Sequence, residues 1–315
     1  MSKETRNSRI KRKITKSRGN AGEAPNRPRK SAGMRAPQAV SAPKSPKKRE
    51  NRSEAGKNQH NQSTPRPGKG REGGAGWIWG AHACKAVLAN PKRTLHTIMM
   101  SEAAQTRYDI PDNAPIPKIV PPGMLDKQFG SAHQGIAIKC APLEWPDLET
   151  VTKEGSGADL ILVLDQITDP HNVGAMLRLA SAFGVAAVVM QDRKAPPLAG
   201  ALAKVAVGCL ETVPVHLVTN IANTLESLKY EGWTITGLAG ETEVSLSDAL
   251  SGAHSTDARH IIVMGAEGPG LRDRVRKTCD QLARIPMHSS DVAGEAESLN
   301  VATAAAIALY EARRE

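Results

Sequence analysis

Cysteine is sparse in this chain and never paired, which removes two classes of protein at once. Of 315 residues four are cysteine: Cys84, Cys140, Cys209 and Cys279. None forms a C-x-x-C pair, so the spacing argues against a zinc site and against a disulfide framework. They read as reduced cysteines of a cytosolic protein. Nothing approaches the run of about 18 apolar residues that a membrane span needs. No secretory apolar core follows the start, so the expectation is a soluble, cytoplasmic protein. A P-loop, a metal-ligand spacing and an ordered Ser-His-Asp set are also missing. Nine histidines are dispersed along the chain; His133 and His171 fall in loops, where a single histidine is ordinarily just solvated.

Acidic residues are nearly absent from one region. Residues 1–76 hold 21 lysines and arginines against 5 acidic residues, a net of +16, so the whole chain's +10 leaves residues 77–315 at −6. This tail, rich in Lys, Arg, Ser, Pro, Gly and Asn, cannot bury enough apolar surface to offset the entropy of ordering it, and disorder is expected. Cationic segments gain from counterion release at phosphates, which makes nucleic acid the expected partner. A solubilising extension and an organellar transit peptide, the latter without its usual amphipathic face, are the other readings.

Order is expected from Trp77-Ile78-Trp79-Gly80 onward. Helical spacing runs from Ala81 to Leu88, with Ala83, Val87 and Cys84 on one face and Asn90-Pro91 as the stop. A strand over Leu95–Met100, a short polar helix at SEAAQTRY, a Pro-rich connection (Ile110 to Pro122), a helix near Met124–Phe129 and a strand at Ile136–Ile138 complete a small α/β unit, residues 77–145. A polar, glycine-containing linker, 146–159, follows. The second domain, 160–315, opens with the apolar run Leu160–Leu164, then a turn and a helix Val173–Phe183 that Asn172 can cap and Gly184 stops. Next come a strand at Ala186–Met190, a helix at Leu198–Val207, a strand at Val213–Val218, a helix at Ile221–Tyr230 and a strand at Thr234–Leu238. Strands alternating with helices predict a mostly parallel sheet covered on both faces, an α/β fold.

The last fifty or so residues organise the rest. An apolar run IIVMG empties into the glycine-rich turn Gly265-Ala266-Glu267-Gly268-Pro269-Gly270, where glycine lets another backbone or a ligand come close. A second apolar run ends at Ile285-Pro286-Met287, and Ser298-Leu299-Asn300 opens an alanine-rich helix over Val301–Ala312. Strand ends and a helix start converge there, as at ligand sites of open α/β sheets. The glycine spacing is not the dinucleotide fingerprint, and Ser298 or Asn300 alone would be an ordinary cap. A third cluster joins Asn172 and Gly174 to Arg178, one turn later, and suits a phosphate or ribose-phosphate; a cap followed by an arginine bridging to an acid on the sheet is the plainer alternative.

Taken in order, N-x-G-x-x-x-R after an apolar strand, MGAEGPGLR, then IPM and SLNVATAAAIALYE, the sequence resembles the SpoU/TrmH family of RNA ribose 2'-O-methyltransferases. The unit from WIWGAHACKAVL to HQGIAI is similar to the L30e-like substrate-binding domain of members that modify 23S rRNA. The resemblance implies a trefoil-knotted methyltransferase domain, a homodimer with an active site completed across the interface, and S-adenosylmethionine held by Gly265, Gly270, Ile285, Met287 and Leu299. It implies a polar active site of Arg178, Asn172, Glu267, Ser298 and Asn300. Arg178 corresponds to the arginine proposed to take the 2'-OH proton; since arginine normally stays protonated, positioning of the phosphate and stabilisation of a developing alkoxide are the sounder physical roles. The segment HSSDVAGEAE, residues 288–297, is longer than is usual for the ribosomal members. The expected activity is 2'-O-methylation of a guanosine in 23S rRNA. A tRNA or resistance-type rRNA 2'-O-methyltransferase, or a ribosome-assembly factor without catalysis, are the alternatives.

Overall fold

The computed structural model describes residues 76–251, 258–287 and 298–314. The basic tail and the 288–297 loop lie outside the described residues. Two sheets organise the chain. The smaller is built from β1 (Gly76–Trp79), β2 (Leu95–Met100), β3 (Lys118–Ile119) and β4 (Ile136–Cys140), with α1 (Ala81–Ala89) and α2 (Pro122–Phe129) between them. Its order is β1-β4-β2-β3; β4 runs antiparallel to β1 and β2, and β3 parallel to β2. Side chains two apart share a strand face, so Trp77 and Trp79 both reach Phe129, with ring centroids 5.0 and 5.4 Å away. Ile78, on the opposite face, is buried in the main core. The short polar helix is a 3₁₀ helix, Glu102–Arg107, and β3 lies unforeseen in the Pro-rich connection.

Residues 146–159, read as a linker, carry a helix, α3 (Leu148–Thr152). Beyond it the larger sheet has six strands: β5 (Leu160–Leu164), β6 (Ala187–Gln191), β7 (Val215–Val218), β8 (Thr234–Leu238), β9 (His260–Met264) and β10 (Gln281–Ala283). The order is β10-β8-β9-β5-β6-β7 and every pairing is parallel. The unbroken apolar run of β5 is explained by burial on two faces. Leu160, Leu162 and Leu164 join one core with α4 (Pro170–Ala182), α5 (Gly200–Ala206) and α9 (Val301–Arg313), while Ile161 and Val163 join the other with α6 (Ile221–Tyr230) and α8 (Asp273–Thr278). A short α7 (Leu246–Ala249) precedes β9. No described helix is long and apolar enough to cross a membrane. Burial pushes the Cys140 thiol up to about 11 and the Cys279 thiol to about 12, so both stay protonated and unreactive at neutral pH.

The structure departs from three expectations. Asn172 does not cap α4: Asp169 does, accepting from the His171 N–H at 3.1 Å, with Pro170 as the first helical residue. Proline there fits the first turn, where its missing N–H is no loss. Ile285–Met287 is not a strand, because the sheet ends at Ala283 and the chain turns out of it. Gly174 admits a neighbouring helix, not a ligand; a Cβ there would lie 2.8 Å from the Leu202 carbonyl oxygen and from Val205 Cβ on α5.

The two sheets meet along a close-packed seam. A Cβ on Gly76 would stand 2.6 Å from Ala199 Cβ, and one on Gly208 2.7 Å from Ala86 Cβ. Arg93 and Glu211, with side chains only 3% and 4% exposed, form an ion pair of 2.6 Å inside that seam. Asn90 Nδ2 donates to Glu211 at 2.8 Å and Arg93 donates to the Ala141 carbonyl at 2.6 Å. A buried pair demands this completeness, since each unsatisfied charge would carry its full desolvation cost.

Candidate active site

A cavity of about 740 Å³ opens at the C-terminal ends of β8, β9 and β10 and at the start of α9. One wall is the end of β8 with residues 238–241; the floor is Met264 with the glycine turn; the opposite side is Ala283–Ile285, Met287, Ser298–Val301 and Ala304. Leu238, Ile285, Leu299 and Val301 make much of it apolar, while the turns contribute backbone N–H and C=O groups.

The glycine turn closes on itself. Ala266 and Gly270 exchange backbone hydrogen bonds of 3.2 and 2.9 Å. A Cβ on Gly265 would lie 2.3 Å from the Gly270 carbonyl carbon and 2.5 Å from the Leu271 nitrogen, so two backbones touch where a side chain would be. Gly268 and Gly270 have φ of +83° and +68°, a region other residues adopt at a cost. Behind the turn, Asp165, fully buried at the end of β5, accepts from Arg272 Nε at 2.7 Å and from the Arg272 backbone N–H at 3.0 Å. That charge-assisted pair anchors the far end of the turn to the sheet.

The turn carries Glu267 to the start of α9. Its Oε1 accepts from Asn300 Nδ2 at 2.9 Å and from the Val301 N–H at 3.2 Å. Asn300 Oδ1 caps the helix by accepting from Ala302 and Thr303 N–H at 2.9 and 3.3 Å. Asn300 Nδ2 also donates to Asn172 Oδ1 at 3.1 Å, linking the first turn of α4 to the cluster. Helix α4 thus enters the site through a residue inside its first turn. The other rim carboxylate, Glu241, is ion-paired with Arg276.

Of the ten residues singled out from the sequence, Gly265, Glu267, Gly270, Ile285, Met287, Ser298, Leu299 and Asn300 line this one cavity. Asn172 reaches it through Asn300. Arg178 does not join them. It lies about 9 Å farther along α4 and roughly 240° around from Asn172, is exposed, and has no hydrogen-bond partner among the described residues. Asp165 and Arg272 went unnoticed in the sequence. An acid closing an all-apolar strand, and an arginine two residues after a glycine turn, were the signals available.

Comparison with known proteins bears on the same stretches. The model of the SpoU rRNA Methylase family matches residues 159–310, and a second model, RNA 2'-O ribose methyltransferase substrate binding, matches residues 77–146. A 23S rRNA (guanosine-2'-O-)-methyltransferase RlmB of Photobacterium profundum is 40% identical over 249 residues, covering 76% of this chain and 97% of that protein. Its namesake in Pseudomonas syringae is 38% identical over 248 residues, covering 76% and 95%. Among solved structures, the SpoU methyltransferase AviRb of Streptomyces viridochromogenes, in complex with the cofactor AdoMet, superposes with a TM-score of 0.61 at 19% identity, over 76% of this chain and 90% of that one. A putative RNA methyltransferase of the TrmH family from Porphyromonas gingivalis gives 0.61 at 23% identity with the same coverage. Those two likenesses show the fold, and the identity to the curated relatives over nearly their whole length shows the lineage: this chain belongs to the SpoU rRNA methylase family.

Proposed function

We propose that this protein methylates the ribose 2'-hydroxyl of a guanosine in 23S rRNA, using S-adenosylmethionine. The observation that carries the reading is the Asn172–Asn300–Glu267 cluster at the rim of a cavity whose residues suit that cofactor. At about 740 Å³ the cavity is in the range of small-molecule sites. Its apolar walls suit a flat heterocycle, and the self-packed Gly265 turn brings backbone groups to the surface where side chains would otherwise cover them. Bound there, S-adenosylmethionine supplies an electrophilic methyl group on its sulfonium. Ile285, Leu299 and Met287 cover the cofactor, and the turn between Gly265 and Gly270 reads its polar edges. Ser298, Asn172 and Glu267 orient the ribose.

Arg178 holds the RNA phosphate and stabilises negative charge as it develops on the 2'-oxygen. Its separation from the cavity within one chain supports a homodimer in which the partner subunit supplies the arginine. Ile307 and Tyr310, 37% and 57% exposed on the outer face of α9, offer apolar surface for that contact. The larger sheet carries the knotted topology of the family in this reading, the smaller is an L30e-like RNA-docking unit, and the protein works in the cytoplasm where rRNA is made.

The test incubates the full chain with methyl-labelled S-adenosylmethionine and unmodified 23S rRNA. Label on one guanosine ribose is expected; label on a base, or none in RNA, overturns the reading. Failure to bind the cofactor in calorimetry would favour the non-catalytic factor. The tail, net +16 over residues 1–76, adds salt-sensitive RNA affinity in this proposal. Deleting residues 1–75 should weaken binding and flatten its salt dependence without moving the modified nucleotide. An unchanged salt slope removes the tail from RNA anchoring.

A further inference from the structure

The amide of Asn300 has no bonding capacity left for a substrate. A primary amide offers two N–H donors and one oxygen with two lone pairs. Here Oδ1 accepts from Ala302 and Thr303 N–H, and Nδ2 donates to Glu267 Oε1 and Asn172 Oδ1. Its orientation is fixed as well. Two backbone N–H groups face one side of the amide, and only an oxygen can accept from them, so the nitrogen must face Glu267 and Asn172. A nitrogen there requires acceptors opposite. Asn172 therefore turns its oxygen inward and leaves its own Nδ2 without a partner among the described residues, while Glu267 uses Oε1 twice and leaves Oε2 likewise unused there. The first three N–H groups of α9 are all satisfied by Glu267 and Asn300. That helix start is not an anion site; it is the reference that sets the direction of every bond in the cluster.

We infer that Asn300 is a positioning residue that does not touch the substrate: by capping α9 it holds Asn172 with its amide N–H groups outward and Glu267 with one carboxylate oxygen outward. The pair offers a ribose one donor and one acceptor, matching a hydroxyl, which can both accept and donate. The donor keeps its value as the 2'-oxygen gains negative charge, because it is held in place before the charge develops. This inference rests on the methyltransferase reading, and its test has a part that does not.

In Asn300→Asp the cap oxygen is kept and an oxygen replaces Nδ2, so the Asn172 amide turns over to donate inward, its outward group becomes an acceptor, and Glu267 Oε1 loses a donor and faces a second carboxylate. In Asn300→Ser a capping oxygen remains but nothing orients Asn172. Both variants, made in the full chain, should bind S-adenosylmethionine nearly as the parent does and lose about 100-fold in kcat with little change in KM for the cofactor. Selective ¹⁵N-asparagine labelling reads the polarity without turnover. The Asn300 side-chain N–H protons should exchange slowly in the parent, and in Asn300→Asp the slow pair should move to Asn172. Fast exchange at Asn300 in the parent, or parental kcat in Asn300→Asp, overturns the inference. If the parent transfers no methyl group to RNA, the methyltransferase reading fails while the exchange measurement still decides whether Asn300 sets the polarity. Should Asn300→Asp not fold, Asn300→Ser and the parent's exchange rates carry the test.

Discussion

The seam between the two sheets and the rim of the cavity are each built around a glutamate held by an asparagine, and they differ in what is left over. At the seam, Glu211 has Asn90 on one oxygen and the Arg93 guanidinium on both, within 2.6 to 3.3 Å, and its side chain is 4% exposed. At the rim, Glu267 receives only neutral donors among the described residues, both on Oε1, and is exposed. The first arrangement uses all of its hydrogen-bonding capacity to bury a charge, while the second is held by one oxygen and keeps the other free. The glycines divide in the same way. Gly76 and Gly208 let two buried surfaces meet, whereas Gly265 lets the floor of an open cavity fold onto itself. Leftover capacity on a fixed group, more than burial or charge, separates a site from a scaffold here.

The largest effect is expected at Arg178, an exposed cation with no partner among the described residues. Arg178→Ala should abolish methyl transfer, a loss of roughly 100-fold or more, with cofactor affinity in calorimetry and thermal stability hardly changed. Substantial residual turnover removes Arg178 from its role. Next in size is the seam. Arg93→Ala leaves Glu211 charged and buried, and should cost about 3–5 kcal/mol in urea unfolding, whereas Arg93→Met with Glu211→Leu should recover much of that loss. If the single variant costs under about 1 kcal/mol, the pair is solvated and the contrast between seam and rim disappears. Smaller again is Gly265→Ala, whose Cβ would press on the Gly270–Leu271 backbone. It should cost about 1–3 kcal/mol as an overpacked site and weaken S-adenosylmethionine binding. Gly174→Ala, overpacked against α5, should cost a similar amount in stability and spare cofactor affinity. Equal effects of the two on affinity would mean that the turn does not shape the cavity.

Much of the scaffold was readable because local and global signals agree. Runs such as Leu160–Leu164 are apolar at every position, and only a strand buried on both faces uses each one, as the alternation between the two cores shows. The start of α4 was misplaced although the signal was present: Asp169-Pro170 is a stronger helix opening than Asn172, whose amide is engaged by Asn300 128 positions away. Ile285–Met287 was read as a strand because three apolar-rich residues look alike whether they pair in a sheet or wall a cavity. Arg93 and Glu211 were invisible in the sequence. They are 118 positions apart, and charged residues are ordinarily at the surface, so nothing local marks a buried pair. The cavity residues stood out by type and order; the direction of their hydrogen bonds did not, since it depends on which backbone N–H groups Asn300 caps.

Asp159 and Arg313 form an intermediate case. Arg313 Nη2 donates to Asp159 Oδ1 at 2.9 Å and to the Gly184 carbonyl at 3.0 Å, tying the end of α9 to the start of β5. Their side chains are 46% and 32% exposed. The hydrogen-bonded guanidinium holds the Asp159 carboxyl below its ordinary value, against the opposing effect of partial burial. A carboxyl whose pKa is depressed on folding contributes stability that is fully present above its unfolded value, about 3.9, and is lost as pH falls through the lower folded value. Solvent screening keeps the contribution at or below about 1 kcal/mol. Asp159→Asn should therefore lower the melting temperature slightly at pH 7, and the difference should shrink as the pH falls from about 3.9 through the lower folded value. A difference that does not shrink on acidification would assign the loss to packing of α9, and would place this pair with the seam instead of between seam and rim.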